Sequence, residues 1–419
     1  MRGYRSGHVR VAAHGSGPAP PVRAAAPTQA VVPARTHARE RRPAITALEH
    51  RPAAVDFDSP EHQARLAELY RDFDAVGMTP LWRTREGLMP QVPEPRAVPH
   101  LWRWDDLYPL AARSGELVPV GRGGERRAIG LGNPGLPGDP YATPTLWAAI
   151  QYLNPRENAP EHRHSQSAFR FVLEGEGVWT VVDGDPVAMR RGDLLLTPGW
   201  HFHGHQNVSD TPMAWLDGLD IPLVVGLDQG FFEFGPEEVR TKRTPDRSNS
   251  ERLWGGPGLT PVGAVGARPS SPLMAYRWEH TDTALNAQLE LADEGIPGTL
   301  VEPGHAAVRY SNPTTGGDAL TTMRTEMHRL VAGTRTRRSR TSASSVWQVF
   351  DGSGTVTMDG VARTLTHGDV VAVPAWTEFS LQAESTLDLF TFSDAPVFEK
   401  LDLLRTSFSE DLTPEGDDA

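Results

Sequence analysis

The sequence predicts an all-β protein: two tandem antiparallel β-barrels preceded by short helices. Three observations carry that expectation. From about residue 128 the chain breaks into short apolar runs separated by Gly, Pro and Asp-Gly, in a chain holding 40 Gly and 37 Pro, the texture of antiparallel sandwiches and barrels. A long stretch of this region recurs towards the C-terminus. The 419 residues suffice for two or three domains, each with its own core.

Taken in order, residues 1–55 come first. Arg2, Arg5, Arg10, Arg23, Arg35, Arg39, Arg41 and Arg42 stand against Glu40 and Glu49, so residues 1–50 carry +6 and the remainder −18 of the overall −12. Basic, Ala/Pro-rich and without an apolar central stretch, this leader reads as a disordered extension and not as a secretory signal. A start-codon artefact and a basic binding tail are its other readings. The acidic body argues against a nucleic-acid platform, which needs a basic face. No apolar run reaches membrane-spanning length. The chain has no cysteine, which excludes disulfides, thiolate metal sites and a cysteine nucleophile and fits a reducing cytoplasm.

Residues 56–127 form a helical and irregular segment. Leu66, Leu69, Tyr70 and Phe73 recur at helical spacing within 60–75, and a second helix is expected from Trp104 to Ala112. The first barrel spans 128–235 and the second 301–405. Between them, 236–300 is rich in Pro, Gly, Ser and charge, and 406–419 is an acidic tail.

The repeat fixes the barrels. "FVLEGEGVWTVVDGDPVAMRRGDLLLTPGW" (171–200) matches "QVFDGSGTVTMDGVARTLTHGDVVAVPAW" (348–376) in Gly-x-Gly, Asp-Gly, Gly-Asp, an apolar run and Pro-x-Trp. Asp183-Gly184 and Asp359-Gly360 suit tight hairpins whose central residues need positive φ. Two equivalent barrels explain this most simply.

The chemistry gathers in "EHRHSQSAFR" (161–170). Read as one extended strand, His162, His164, Gln166, Ala168 and Arg170 share a face. Further on, "TPGWHFHGHQN" (197–207) places His203 and His205 at one parity. His-x-His, a Gly-rich hairpin, Gly192-Asp193, Pro198 and His203-x3-Asn207 together resemble the two-part motif of the cupin superfamily, and imply a bicupin of two jelly-roll (double-stranded β-helix) barrels. Most cupins add a glutamate after the second histidine, but Ser165 to Arg170 contain no carboxylate. That leaves His162, His164 and His203 as metal ligands, with up to three positions open on an octahedral ion. The repeat alignment puts Ser339, Thr341 and Phe379 at the three ligand positions of the second barrel, which is expected to bind no metal this way. A guanidinium inside a barrel costs several kcal/mol unless an anion meets it. Arg170 therefore suits a substrate carboxylate, with a buried ion pair to Asp217 as the alternative.

Longer segments narrow the resemblance. "PEHRHSQSAFRFVLEGEG", "RGDLLLTPGWHFHGH", "WLDGLDIPLV", "LYRDFDAVGMTPLW" and "VRYSNPTTGG" resemble the gentisate 1,2-dioxygenase family, with its salicylate and 1-hydroxy-2-naphthoate relatives, over about residues 62–405. The resemblance implies Fe(II) in the first barrel, a homotetramer, and extradiol-type ring cleavage by O2 between the carboxyl-bearing carbon and its hydroxylated neighbour. With gentisate the product would be maleylpyruvate. It implies His162, His164 and His203 as iron ligands and Arg170 on the substrate carboxylate, with a second arginine at Arg127 or, less favoured, Arg126. It implies His205 and Asp217 as polar catalytic residues, and Trp147, Ala149 and Gln151 as pocket wall. Salicylate, a substituted salicylate or 1-hydroxy-2-naphthoate remain alternative substrates. A non-catalytic cupin that binds an aromatic acid, and an Mn(II) cupin isomerase or oxidase, are the competing classes.

Overall fold

The computed structural model describes residues 56–83, 89–120, 127–235, 244–264 and 266–409. The leader, Arg126 and the tail beyond 409 lie outside them. The described residues fall into two compact units, one ending before Met89 and one beginning there. In the first, α1 (Pro60–Ala75) takes up the expected helix, with Ser59 accepting from the His62 N–H at its start, a satisfied N-cap. Leu66, Leu69, Tyr70 and Phe73 are at most half-buried.

The second unit begins with β1 (His100–Trp102) and α2 (Trp104–Leu117), a helix that runs past the expected end at Ala112 and accommodates Pro109. The first barrel follows as β2 (Ala128–Gly130), β3 (Trp147–Leu153), β4 (Asn158–His164), β5 (Ala168–Glu174), β6 (Val178–Val182) and β7 (Asp185–Met189). It closes with β8 (Leu194–Thr197), β9 (His203–Asn207), β10 (Met213–Leu219), α3 (Ile221–Gly226) and β11 (Phe232–Phe234). The linking segment is more structured than its composition suggests, with α4 (Asn249–Trp254), β12 (Ala275–Tyr276) and α5 (Trp278–Asp293). The second barrel holds β13 (His305–Arg309), β14 (Arg324–Leu330), β15 (Ser339–Thr341), β16 (Ser345–Asp351), β17 (Gly354–Met358) and β18 (Val361–Leu365). It ends with β19 (Val370–Val373), β20 (Phe379–Ala383), β21 (Leu387–Ser393), α6 (Ala395–Lys400) and β22 (Thr406–Phe408), the last beyond the expected boundary at 405.

Each barrel is two facing antiparallel sheets. In the first these run β12-β8-β5-β10-β3-β2 and β11-β4-β9-β6-β7; in the second, β1-β19-β16-β21-β14-β13 and β18-β17-β20-β15-β22. Asp183 and Gly184 at φ 46° and 81°, and Asp359 and Gly360 at 45° and 78°, make the hairpins that the Asp-Gly pairs demand.

One expectation changes here. His162 to Arg170 do not form one strand: β4 ends at His164, the chain bends through 165–167, and β5 starts in the opposite sheet. The histidines and Arg170 meet across the barrel rather than along a strand. β5 also shows which face is which. Phe169, Phe171 and Leu173 point outward into the core shared with the second barrel, where Phe171 stacks on Phe390 at 4.2 Å. Arg170 and Val172 are left facing inward.

The barrels exchange their first strands. β1 pairs with β19 of the second barrel, and β12 with β8 of the first. Arg103-Trp104 and Arg277-Trp278 are matching clasps. Asp369 accepts from Arg103 at 2.8 Å and from the Trp104 N–H at 3.0 Å, while Asp193 accepts from Arg277 at 2.5 Å and from the Trp278 N–H at 2.9 Å. The Gly-Asp pair of each repeat is therefore a receptor for an Arg-Trp pair. In Gly192 and Gly368, at φ 85° and 83°, the absent Cβ makes room for that tryptophan.

Candidate metal centre and substrate cavity

Register brings the ligands together. β4 pairs with β9 so that His162 faces His203. Trp200, held at φ 73°, donates its backbone N–H to the His164 carbonyl at 2.7 Å and ties the second motif to the first. A tryptophan in the left-handed region is costly, and this bond helps to hold it there.

All three histidines are buried, and their ligand atoms lie within 4.8 Å of one another. Each Nδ1 sits on a backbone carbonyl: His162 on Pro160 at 3.1 Å, His164 on Gln166 at 2.8 Å, His203 on His201 at 3.0 Å. A carbonyl only accepts, so each Nδ1 carries a proton, and Nε2 is the nitrogen that can bind a metal. That is the tautomer a divalent metal requires, fixed before the metal arrives. Among the described residues, these three imidazoles form a metal-binding site with no carboxylate in it.

Beside it lies a cavity of about 400 Å³ lined by residues that include Trp147, Gln151, His164, Gln166, Arg170 and Asp217. Its remaining wall is mainly apolar, with Leu219, Ile221, Phe231 and Phe232. Arg170 donates to the Thr197 hydroxyl at 2.7 Å. The Arg170–Asp217 pair left open by the sequence is present, but it is a single approach of Nε to Oδ1 at 3.5 Å. That same Oδ1 accepts from the Trp215 indole at 3.0 Å. Burial pulls the Arg170 pKa down, and Asp217 opposes it; a guanidinium stays charged regardless. Among the described residues, these two neighbours do not use five N–H donors, so the cavity holds a fixed cation able to receive an anion.

The other expected site residues divide. Ala149 shares a strand with Trp147 and Gln151 and is fully buried, but it is not on the cavity wall. His205 is buried with its Nδ1 3.0 Å from the Thr180 hydroxyl and its ring 6.4 Å from that of His203, and it too is off the wall. Arg127, favoured over Arg126, does not reach the cavity. Its guanidinium pairs with Glu157, 2.9 Å at the longer contact, and donates to the carbonyls of Tyr152 and Val118 at 2.9 Å. Spacing could not reveal this, because Glu157 is thirty positions away.

Phe231 and Phe232 were missed. β11 pairs with β4, setting Phe232 against His164, and Phe232 stacks on the His162 ring at 5.3 Å. The signal was present in "GFFEF", but only the pairing carries it to the histidines.

Known proteins fit this geometry. The cupin domain model matches residues 149–221. A gentisate 1,2-dioxygenase of Streptomyces sp is 67% identical over 345 residues, 82% of this chain and 96% of the relative. The chain belongs to the gentisate 1,2-dioxygenase family. Within that family, the 5-aminosalicylate 1,2-dioxygenase of Comamonas sp is 33% identical, covering 82% of this chain and 90% of its own. A crystal structure of salicylate 1,2-dioxygenase from Pseudoaminobacter salicylatoxidans with gentisate superposes with a TM-score of 0.81 at 58% identity, covering 85% of this chain and 96% of that one. The bicupin architecture and the ring-cleaving dioxygenase class follow from this membership. No helix among the described residues is long and apolar enough to cross a membrane.

Proposed function

We propose that the chain uses Fe(II) to open gentisate between its carboxyl-bearing carbon and the adjacent hydroxylated carbon, giving maleylpyruvate. The observation that carries this reading is one cavity holding both His164 of the triad and the buried cation Arg170. His162, His164 and His203 would hold the metal, which would supply Lewis-acid and redox chemistry to bring the aromatic acid and O2 together and make the encounter intramolecular. Arg170 receives the carboxylate through its planar fork, braced by Thr197 and Asp217. Gln151 and Gln166 add amides to the polar side of the cavity. His205, oriented by Thr180 at 3.0 Å and with its ring 6.4 Å from that of His203, is off the cavity wall and acts behind the triad as a positioning residue rather than on the substrate. The apolar wall flanks the ring and excludes water.

The bond broken has one hydroxyl beside it rather than two, so "extradiol-type" describes the outcome and not a catechol substrate. Arg127, held by Glu157, is not part of this reading; Arg126 takes its place as the second carboxylate arginine. A homotetramer is carried over from the family and is checked by light scattering; a cytoplasmic location, carried over likewise, is checked by cell fractionation. A second reading, the same chemistry on salicylate or a substituted salicylate, is favoured by the mostly apolar wall.

Oxygen uptake by the Fe(II)-reconstituted protein decides. Stoichiometric uptake with gentisate, lost in His203→Ala, supports the proposal. Uptake with salicylate alone transfers it to the second reading. Gentisate binding without uptake, despite bound iron, favours the non-catalytic class.

A further inference from the structure

The second barrel reaches the metal centre through Asp220, the residue between β10 and α3. Asp220 is buried, at 3% exposure. One of its oxygens accepts the Ser167 N–H at 2.9 Å and the other the Thr322 hydroxyl at 2.5 Å. Thr322 lies just before β14, a strand of the second barrel. The Ser167 N–H and the Gln166 C=O belong to one peptide group, and that C=O accepts the Nδ1–H of His164 at 2.8 Å. A continuous line therefore runs from hydroxyl to carboxylate, peptide and imidazole. An anion on the N–H side of a peptide polarises it and strengthens its carbonyl as an acceptor. A stronger acceptor on Nδ1–H fixes the ring and raises the basicity of Nε2.

We infer that Thr322 and Asp220 are positioning residues for the metal, so that the second barrel tunes the affinity of the first for its ion. This rests on the reading of His162, His164 and His203 as the metal site. The fold supplies its own control. Asp394 accepts the Ser344 N–H at 2.8 Å and the Thr145 hydroxyl at the matching place in the other barrel. No histidine stands two residues before the peptide it holds, between Ala343 and Ser344; Thr341 is there instead, and its hydroxyl accepts the Ala343 N–H of the neighbouring peptide at 3.3 Å.

The experiment titrates cobalt(II) into the full-length apoprotein, follows the visible bands of the bound ion, and records the apoprotein melting temperature. Thr322→Val should weaken cobalt binding by about tenfold, the low end for partners of metal-ligating histidines, and Thr322→Ser should restore it. Thr145→Val should cost a similar melting temperature and leave affinity within about twofold. Asp220→Asn keeps the shape and removes the charge, and should weaken binding by at least about tenfold; it provides the test if Thr322→Val does not fold. Parent affinity in Thr322→Val, or an equal loss in Thr145→Val, overturns the inference while leaving the metal site standing. No cobalt binding by the unmutated protein overturns both.

Discussion

The two barrels share a backbone plan and differ in what fills them. Register matches them position by position: His162 pairs with His203 as Ser339 pairs with Phe379. Arg170 lies opposite Asp217 as Trp347 lies opposite Thr391. Thr180 and His205 correspond to Val356 and Leu381, and Thr197 to Val373. Where the first barrel keeps polar groups around a cavity, the second closes with Trp347 stacked on Phe379 at 5.1 Å, over a core of Val349, Val356, Met358, Val373, Leu381 and Leu389. One barrel has exchanged packing for chemistry. The dense core of the other, joined through the Phe171–Phe390 face, compensates for the polar interior of the first.

Exchanging residues between the barrels tests this contrast most severely. His203→Phe, the second barrel's choice, should abolish metal binding and lower oxygen uptake by about a thousandfold or more. Phe379→His should gain no cobalt binding, because Ser339 and Thr341 offer no imidazole. Detectable binding there would mean that the second barrel is closer to a site than its packing implies.

Next comes the cation. Arg170→Lys loses the planar fork and should lower kcat/KM by about a hundredfold. Thr197→Val, again the second barrel's residue, removes one hydrogen bond, about 1 kcal/mol, and should raise KM about fivefold with kcat little changed. A kcat effect as large as the KM effect would move Thr197 from substrate anchoring into the reaction itself.

The exchanged clasps should behave alike. A Cβ on Gly192 would lie 2.7 Å from the Trp278 ring, and one on Gly368 2.2 Å from the Trp104 ring. Each Gly→Ala change should cost about 2–3 kcal/mol and lower Tm by several degrees, the change at 368 more. Unequal costs in the opposite order would show that the two clasps are not equivalent.

The smallest effects concern pH. Burial, followed by the charge of His328, lowers the His305 pKa to about 3, against a weaker pull from Glu326. Its folded pKa lies below the unfolded value, so its contribution to stability is lost as pH falls from about 6.5 towards 3. Asp394 is raised to about 7 by burial, opposed by its bonds to Thr145 and Ser344. Its contribution is full at low pH and lost as pH rises from about 4 to 7. The two slopes oppose each other. Denaturant unfolding between pH 4 and 7 should show stability rising with pH in Asp394→Asn and falling in His305→Gln. Identical profiles in both variants would contradict this assignment.

Much of the site was legible because its motifs are local. His162 and His164 lie two apart, His203 follows a Pro-Gly-Trp turn, and the Asp-Gly hairpins announce themselves by their need for positive φ. The fate of a side chain depends on partners distant in sequence, and there legibility ends. Arg127 and Arg170 are both buried arginines, yet Glu157 claims one, whereas Asp217 only steadies the other. The repeat likewise showed two barrels without showing that Arg103-Trp104 serves the second and Arg277-Trp278 the first.

The sequence by itself determined the all-β duplication, the three ligands and the loss of those ligands in the second copy, because each follows from short-range periodicity and residue chemistry. Only the tertiary structure decided that His164 and Arg170 meet across two sheets, that the barrels trade strands, and that Thr322 reaches Asp220. Those contacts arise from packing two curved sheets face to face, which joins residues far apart along the chain and leaves no trace in either segment read alone.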